Sequence, residues 1–213
     1  HMTMEPMNCT AHVTSDRCDV WAPTQAQTVS QMVASQISGL PADKVYIHTT
    51  YLGCGLGRRA RPDFVAEAVI LSKAVGKPVR ILWTREEDLK YDAFRSAMSH
   101  RIQGAIDTQG NLTGWSHKAA SVSILMGVNP KYIKNGVDAY CLWGLWDTPD
   151  SPHWNNRIQY EIPNLHITFQ ISDLPMPVSP WRSVQNACNA FPIESFSTSF
   201  IHNDPTLSCT FDS

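Results

Sequence analysis

An α+β fold, a mixed sheet with helices packed on it, is what the sequence predicts, and three patterns predict it. Two segments with helical apolar spacing, 24–38 and 62–75, each run into a glycine, Gly39 and Gly76. Runs rich in β-branched and aromatic residues at 45–50 and 79–83 read as strands. A hairpin pattern over 98–106 and 112–123 follows, and no regular strand–helix–strand repetition runs through the chain.

Taken in order, Val20-Trp21 closes an early strand, and Thr24 stands as the N-cap of the first helix with Gln27 as its capping-box partner. Val29, Met32, Val33 and Ile37 share one face of that helix. After the strand 45–50 comes the turn "TTYLGCGLGRRARPDF", residues 49–64. Pro62 suits the first turn of the next helix, whose buried face is Phe64, Val65, Ala68 and Val69. Thr84-Arg85-Glu86-Glu87 is a capping box opening a short polar helix. Asp107-Thr108-Gln109-Gly110-Asn111 turns the hairpin. Residues 124–156 carry Trp143, Trp146 and Trp154 among glycines and prolines without periodicity, the signature of a long insertion or packed loop. Residues 157–170 read as two strands broken at Pro163-Asn164. Pro175, Pro177 and Pro180 enforce an extended approach to Trp181-Arg182, and a helix follows over 186–196.

The chain has 213 residues, 43% hydrophobic and 17% charged, with a net charge of −2. That balance gives no electrostatic footprint for nucleic acid or an anionic membrane. No apolar run approaches the roughly 18 residues of a membrane span, and no signal-peptide pattern is visible. His1-Met2 resembles a cloning scar, so residues 1–3 are expected outside the fold, 4–196 within it, and 197–213 as a polar, Ser/Thr-rich end. The six cysteines are scattered without a C-x-x-C pair, which argues for neither a zinc site nor a dense disulfide framework.

Three alternating glycines, Gly53, Gly55 and Gly57, precede Arg58 and Arg59. The spacing is not that of a dinucleotide fingerprint, because Arg58 occupies the place of the third glycine, and no G-K-[ST] follows for a phosphate loop. Such glycines allow the backbone to pass very close to a large ligand. The following helix N-terminus and the two arginines then suit phosphate or carboxylate oxygens. The plainer reading is a tight turn beside two solvated arginines.

Six stretches in order carry more information than the turn alone. They are Met4-Glu5-Pro6, Trp21-Ala22-Pro23-Thr24-Gln25, Leu52 to Arg59, Pro78-Val79, Trp83 to Asp88, and Pro180-Trp181-Arg182-Ser183-Val184. Together, from about Met4 to Phe196, they resemble the molybdopterin-binding subunit of the xanthine oxidase superfamily. The branch they are most similar to is that of the isoquinoline oxidoreductase β-subunit and periplasmic aldehyde dehydrogenases. The resemblance implies a molybdopterin cofactor, in the cytosine dinucleotide form, beside the glycine turn. It implies that Gly53, Gly55, Leu56, Gly57 and Arg58 line the cofactor, with the Leu56 and Gly57 amides on an oxygen ligand of the metal. Gln25 would approach the same oxygen, and Arg182 would face the substrate and cofactor pocket. The protein itself would supply no metal ligand. An iron–sulfur subunit would be the partner, in a bacterial enzyme of the periplasm or cytoplasm.

Departures from the family pattern accompany the resemblance. Cys54 stands where the family has glycine, and Leu56 where it has phenylalanine. The family's glutamate base, from a G-E-P-like motif, has no counterpart here. The helix beginning at 186 gives way after Phe196 to "STSFIHNDPTLSCTFDS", which reads as a frameshift or an abrupt end. An internal fragment of the subunit, incomplete for the hydroxylation of aldehydes or N-heterocycles, is therefore expected. The competing readings are a small ester or lactone hydrolase, with a Cys54–His48 or a serine–histidine arrangement as its nucleophile and base, and a non-catalytic module that self-associates.

Overall fold

The computed structural model describes residues 1–128, 130–147, 157–201 and 208–212, and its elements are α+β as the sequence predicts. Where the sequence suggests one folded stretch over 4–196, the chain divides into two compact units. One comprises His1–Ala93 with Pro180–Arg182, the other Phe94–Ser179 with Ser183–Ser213. Among the described residues no helix is long and apolar enough to cross a membrane.

In the first unit, β1 (Asn8–Val13), β2 (Cys18–Ala22), β3 (Val45–Thr49) and β4 (Val79–Leu82) form a sheet in the order β3-β2-β1-β4. β2 and β3 run parallel and the other pairs antiparallel, so the sheet is mixed. Period-two alternation sends Cys9, Ala11 and Val13, then Cys18, Val20 and Ala22, into the core. Two helices cover that face, α1 (Gln27–Ser38) and α2 (Asp63–Val75). Phe64, Val65, Ala68 and Val69 of α2 are fully buried, as their spacing predicts. The buried Ser72 beside them satisfies its hydroxyl twice, accepting from the Val13 amide at 2.9 Å and donating to the Lys77 carbonyl at 2.8 Å. Gly39 and Gly76 close both helices in the left-handed conformation.

The start of α1 differs from expectation. The helix begins at Gln27 with Ala26 at the cap, and no side chain caps it. The Thr24 hydroxyl instead accepts from the Ala26 amide and lies 3.1 Å from the buried Ser30 hydroxyl. Its inward face is Ser30 and Ala34, with Ile37 packed on the core, while Val29 and Met32 are exposed. The inward face is thus made largely by small residues, and Val29 and Met32 face outwards. The Thr84 capping box forms as predicted, at the head of α3 (Arg85–Lys90), with the Thr84 hydroxyl and Glu87 carboxylate each bonding the other's amide.

In the second unit, β5 (Met98–Ile106) and β6 (Leu112–Val122) make the expected hairpin. Asp107 accepts from the Gln109 and Asn111 amides in its turn. β7 (Asn164–Ser172) joins β6 in parallel and β8 (Ser208–Asp212) joins β5, giving the order β7-β6-β5-β8. Residues 157–170 therefore hold one strand, not two: Pro163 precedes β7, and residue 157 makes only an isolated bridge to Leu145. The packed loop contains α4 (Ile124–Val128) and short 3₁₀ turns, and its 148–156 portion lies outside the described residues. α5 runs from Asn186 to Ile201, beyond the predicted end at 196. Ser197, Thr198 and Ser199 bond back to the carbonyls of Ile193, Glu194 and Ser195, which satisfies their hydroxyls within a helical run that has no apolar periodicity. Met98, Ile102, Trp115, Leu145, Ile193 and Phe196 build the second core.

Two histidines sit in this core region, His100 on β5 and His117 on β6, with Nδ1 of His100 and Nε2 of His117 3.0 Å apart. Burial, reinforced by His100, holds the His117 imidazole down at about 3 against an ordinary 6.5. Between those values the unfolded chain binds a proton that the folded chain does not, so stability falls as pH is lowered from about 6.5 towards 3. Urea midpoints measured across this window should decline for the native chain and decline less steeply for His117→Leu.

Candidate functional site

Each glycine of the 53–57 turn faces a different segment of the first unit. A Cβ on Gly53 would stand 2.4 Å from Glu5 Cβ, and one on Gly55 would stand 2.4 Å from Gln25 Oε1. On Gly57 it would lie 2.0 Å from the Pro180 carbonyl oxygen. At Gly53 and Gly57 the absence of a side chain is therefore required by protein packed against the turn, and at Gly55 it leaves room for the Gln25 carboxamide. The segments they meet belong to three of the six ordered stretches of the sequence: Met4-Glu5-Pro6, Trp21–Gln25 and Pro180–Val184.

Backbone strain falls mostly on the other residues. Cys54 has φ 78° and Leu56 φ 54°, both left-handed, while of the three glycines only Gly57 has positive φ, at 97°. Holding a side-chain-bearing residue there costs of order 1–3 kcal/mol. Hydrogen bonds hold the turn in place: the Glu5 amide donates to the Gly53 carbonyl at 3.0 Å, and the Gly53 amide donates to Glu5 Oε2 at 3.1 Å. The Arg58 amide donates to the Gly55 carbonyl at 2.9 Å, opening a 3₁₀ turn over Arg58–Ala60.

Arg58 and Arg59 do not face a ligand, contrary to the sequence reading. Both are fully buried. Arg58 grips Asp63 bidentately, at 2.9 and 3.0 Å, and its Nε lies 3.2 Å from Asp92 Oδ1. Arg59 donates to the carbonyls of Cys54 at 3.0 Å and Glu5 at 2.7 Å, and to Glu5 Oε2 at 3.0 Å. Burial lowers the Arg59 pKa, with Glu5 the foremost opposing influence. Asp88, buried and 2.9 Å from Arg85, has its carboxyl pushed upwards by desolvation against the pull of Arg58. The Arg59 guanidinium, met by protein oxygens at each nitrogen, has little left for a ligand, whereas Arg58 Nε makes no hydrogen bond among the described residues. Glu5, Asp63 and Asp92 are the partners that sequence reasoning missed. Their signal is that two consecutive arginines in an apolar setting need acids.

Gln25 reaches the turn. Its Oε1 accepts from the Gly57 amide at 3.0 Å, and its own amide donates to the Arg59 carbonyl at 3.0 Å. Because an amide can only donate, the Gly57 bond fixes the carboxamide orientation, and the Nε2 hydrogens remain for another acceptor. The Gly57 amide is therefore used within the protein. Among the described residues the Leu56 amide makes no hydrogen bond. Leu56 is half-buried, and Arg182 is exposed two residues beyond the Pro180–Gly57 contact, in the same unit. The donor set of Gln25 Nε2 and the Leu56 amide fits an oxygen-rich group; the arginines add nothing to it.

Cys54 is exposed. His48 is engaged elsewhere: its Nε2 lies 2.7 Å from Asp19 Oδ1 and its ring stacks on Trp21 at 4.9 Å. Arg17, bonded to Asp19 at 2.5 and 2.8 Å, holds that carboxyl down at about 2. The structure gives no contact between Cys54 and His48 among the described residues, and the hydrolytic alternative is not supported. Nor do the described residues contain a group of three His, Cys, Asp or Glu able to hold a metal ion.

Comparison with known proteins defines the class. Residues 1–123 match the model of the molybdopterin cofactor-binding domain, and the chain belongs to that family. It is 29% identical over 163 residues to isoquinoline 1-oxidoreductase subunit beta of Brevundimonas diminuta, covering 75% of this chain and 20% of that protein. It is 30% identical over 139 residues to a membrane-bound aldehyde dehydrogenase of Gluconacetobacter polyoxogenes, covering 65% of this chain and 18% of that one. The chain thus spans about a fifth of the length of these relatives. In fold it is similar to the aldehyde oxidoreductase of Desulfovibrio gigas, with a TM-score of 0.68 at 16% identity, over 96% of this chain and 22% of that one.

Neighbouring positions in the turn should respond oppositely to substitution. Cys54→Gly relieves a left-handed side chain and should raise unfolding stability by about 1 kcal/mol. Gly57→Ala places a methyl against the Pro180 carbonyl at positive φ and should lower it by about 2 kcal/mol or more. Urea denaturation of the two variants checks both signs.

Proposed function

We propose that this chain forms part of the molybdopterin-binding subunit of a bacterial molybdenum hydroxylase that oxidises an aldehyde or an N-heterocycle. The observation that carries the reading is the carboxamide of Gln25. Its Oε1 is held at 3.0 Å by the Gly57 amide, one residue along the chain from the Leu56 amide, which leaves its Nε2 donors for another acceptor. Gln25 and Leu56 would hold an oxygen of the cofactor, for which we propose the cytosine dinucleotide form. When bound, the cofactor supplies the redox chemistry, removing two electrons from the substrate. Glu5 and Arg59 hold the turn that presents these donors, and Arg182 would border the substrate side. An iron–sulfur subunit would carry the electrons away; relatives named as subunits support a partner chain.

The reading is tested by producing the chain in a host that makes molybdopterin and measuring molybdenum and pterin in the purified protein. The native chain should retain pterin. Gln25→Ala should retain about tenfold less, since it removes donors to a charged group. A native chain free of pterin, or a variant that holds as much, would overturn the assignment.

A further inference from the structure

Nothing in the family match assigns a role to Glu5, yet it is the side chain on which the strained turn closes. Its carboxylate accepts from the Gly53 amide at 3.1 Å and from Arg59 Nη2 at 3.0 Å. Its backbone completes the clasp: the amide donates to Gly53, and the carbonyl accepts from the same Arg59 nitrogen at 2.7 Å. Gly53 has no side chain because Glu5 Cβ occupies the space one would need. Through Arg59, whose Nε bonds the Cys54 carbonyl at 3.0 Å, the clasp reaches the first left-handed residue of the turn. The Arg59 carbonyl in turn receives the Gln25 amide.

We infer that Glu5 is a positioning residue: its carboxylate, acting through Gly53 and Arg59, sets the conformation in which the Leu56 amide and Gln25 stand together. The left-handed conformations of Cys54 and Leu56 are not ones these residues adopt unaided, so the turn persists only while its surroundings over-determine it. Glu5 supplies an anion to the buried Arg59 guanidinium and an acceptor to the turn's first amide at once. A neutral isostere supplies only the second. The donors it positions matter for cofactor retention only if the function proposed above holds, so the inference rests on that reading for its biological meaning, while the geometric part stands apart from it.

Hydrogen–deuterium exchange on the full 213-residue chain, without cofactor, separates the two. In Glu5→Ala the amides of Gly57, Arg58 and Ala60 should exchange about tenfold faster than in the native chain, reporting local opening. Those of α2 and β1 should stay within about twofold. Glu5→Gln should fall between, because it keeps the acceptor for Gly53 and loses the charge on Arg59. Unchanged exchange in the turn would overturn the inference, and so would equal acceleration throughout the unit, which would mean that Glu5 only stabilises the fold. Pterin content of the same variants forms the second arm. If the native chain holds no pterin, the proposed function fails while the exchange result still decides the positioning role. If it does, Glu5→Ala should lose pterin and Glu5→Gln should recover part of it.

Discussion

A guanidinium shut away from water, that of Arg59, is the constraint on which the site region depends. Removing such a charge from solvent costs several kcal/mol unless its donors are met. Here they are met by the carbonyls of Glu5, Pro23 and Cys54 and by one carboxylate. Segments far apart in sequence must converge to satisfy one side chain. The planar fork of arginine makes this possible, since a lysine offers a point charge without the geometry to bridge several acceptors. The strain at Cys54 and Leu56 follows from the same convergence. The turn bends as it must to bring the Cys54 carbonyl to Arg59 and Gly57 beneath the Pro180 carbonyl.

The second unit solves a similar problem with a carboxylate. Asp138, fully buried, accepts from the amides of Leu125 and Tyr140 and from the Ser123 hydroxyl, all at 2.8 Å. Asn189 donates to the carbonyls of Cys141 and Trp143. These polar anchors fasten a stretch that has no apolar period and, among its described residues, is mostly neither a regular helix nor a strand. Fixing such a segment takes a few well-placed acceptors, each of which would be costly to leave unpaired.

What was legible in the sequence follows the range of the forces concerned. Local rules placed α2, the Thr84 cap, the hairpin and both glycine helix ends, because spacing, capping and left-handed termini are decided within a few residues. The face of α1 was misjudged because Val29 and Met32 match the helical period as well as Ser30 and Ala34 do; only packing in the fold selects the small residues. α5 outran its predicted end because its last turns are rich in Ser and Thr, which leave no apolar trace to read. At the site, the order of the motifs pointed to Gln25 and the glycine turn together, and the two are joined by a hydrogen bond. The burial of Arg58 and Arg59 was not, since their acids, Glu5, Asp63 and Asp92, are recognisable as partners only once folded. Strain at Cys54 was foreseeable from a family glycine, whereas the need for Gly53 and Gly55 to be small arises from neighbours distant in sequence.

The membership of Pro180–Arg182 in the first unit carries a consequence for how the molecule is made. A ribosome adding roughly 5–20 residues per second delivers Pro180 several seconds after Ala93. Until then the sheet, α1 and α2 can assemble from contiguous chain, while Gly57 lacks the carbonyl that closes over it. The nascent first unit would wait with its turn unlatched through the synthesis of much of the second. Each round of translation thus holds a period in which the region of the candidate site is formed in its parts and open in its arrangement, ending when a short proline-led segment arrives.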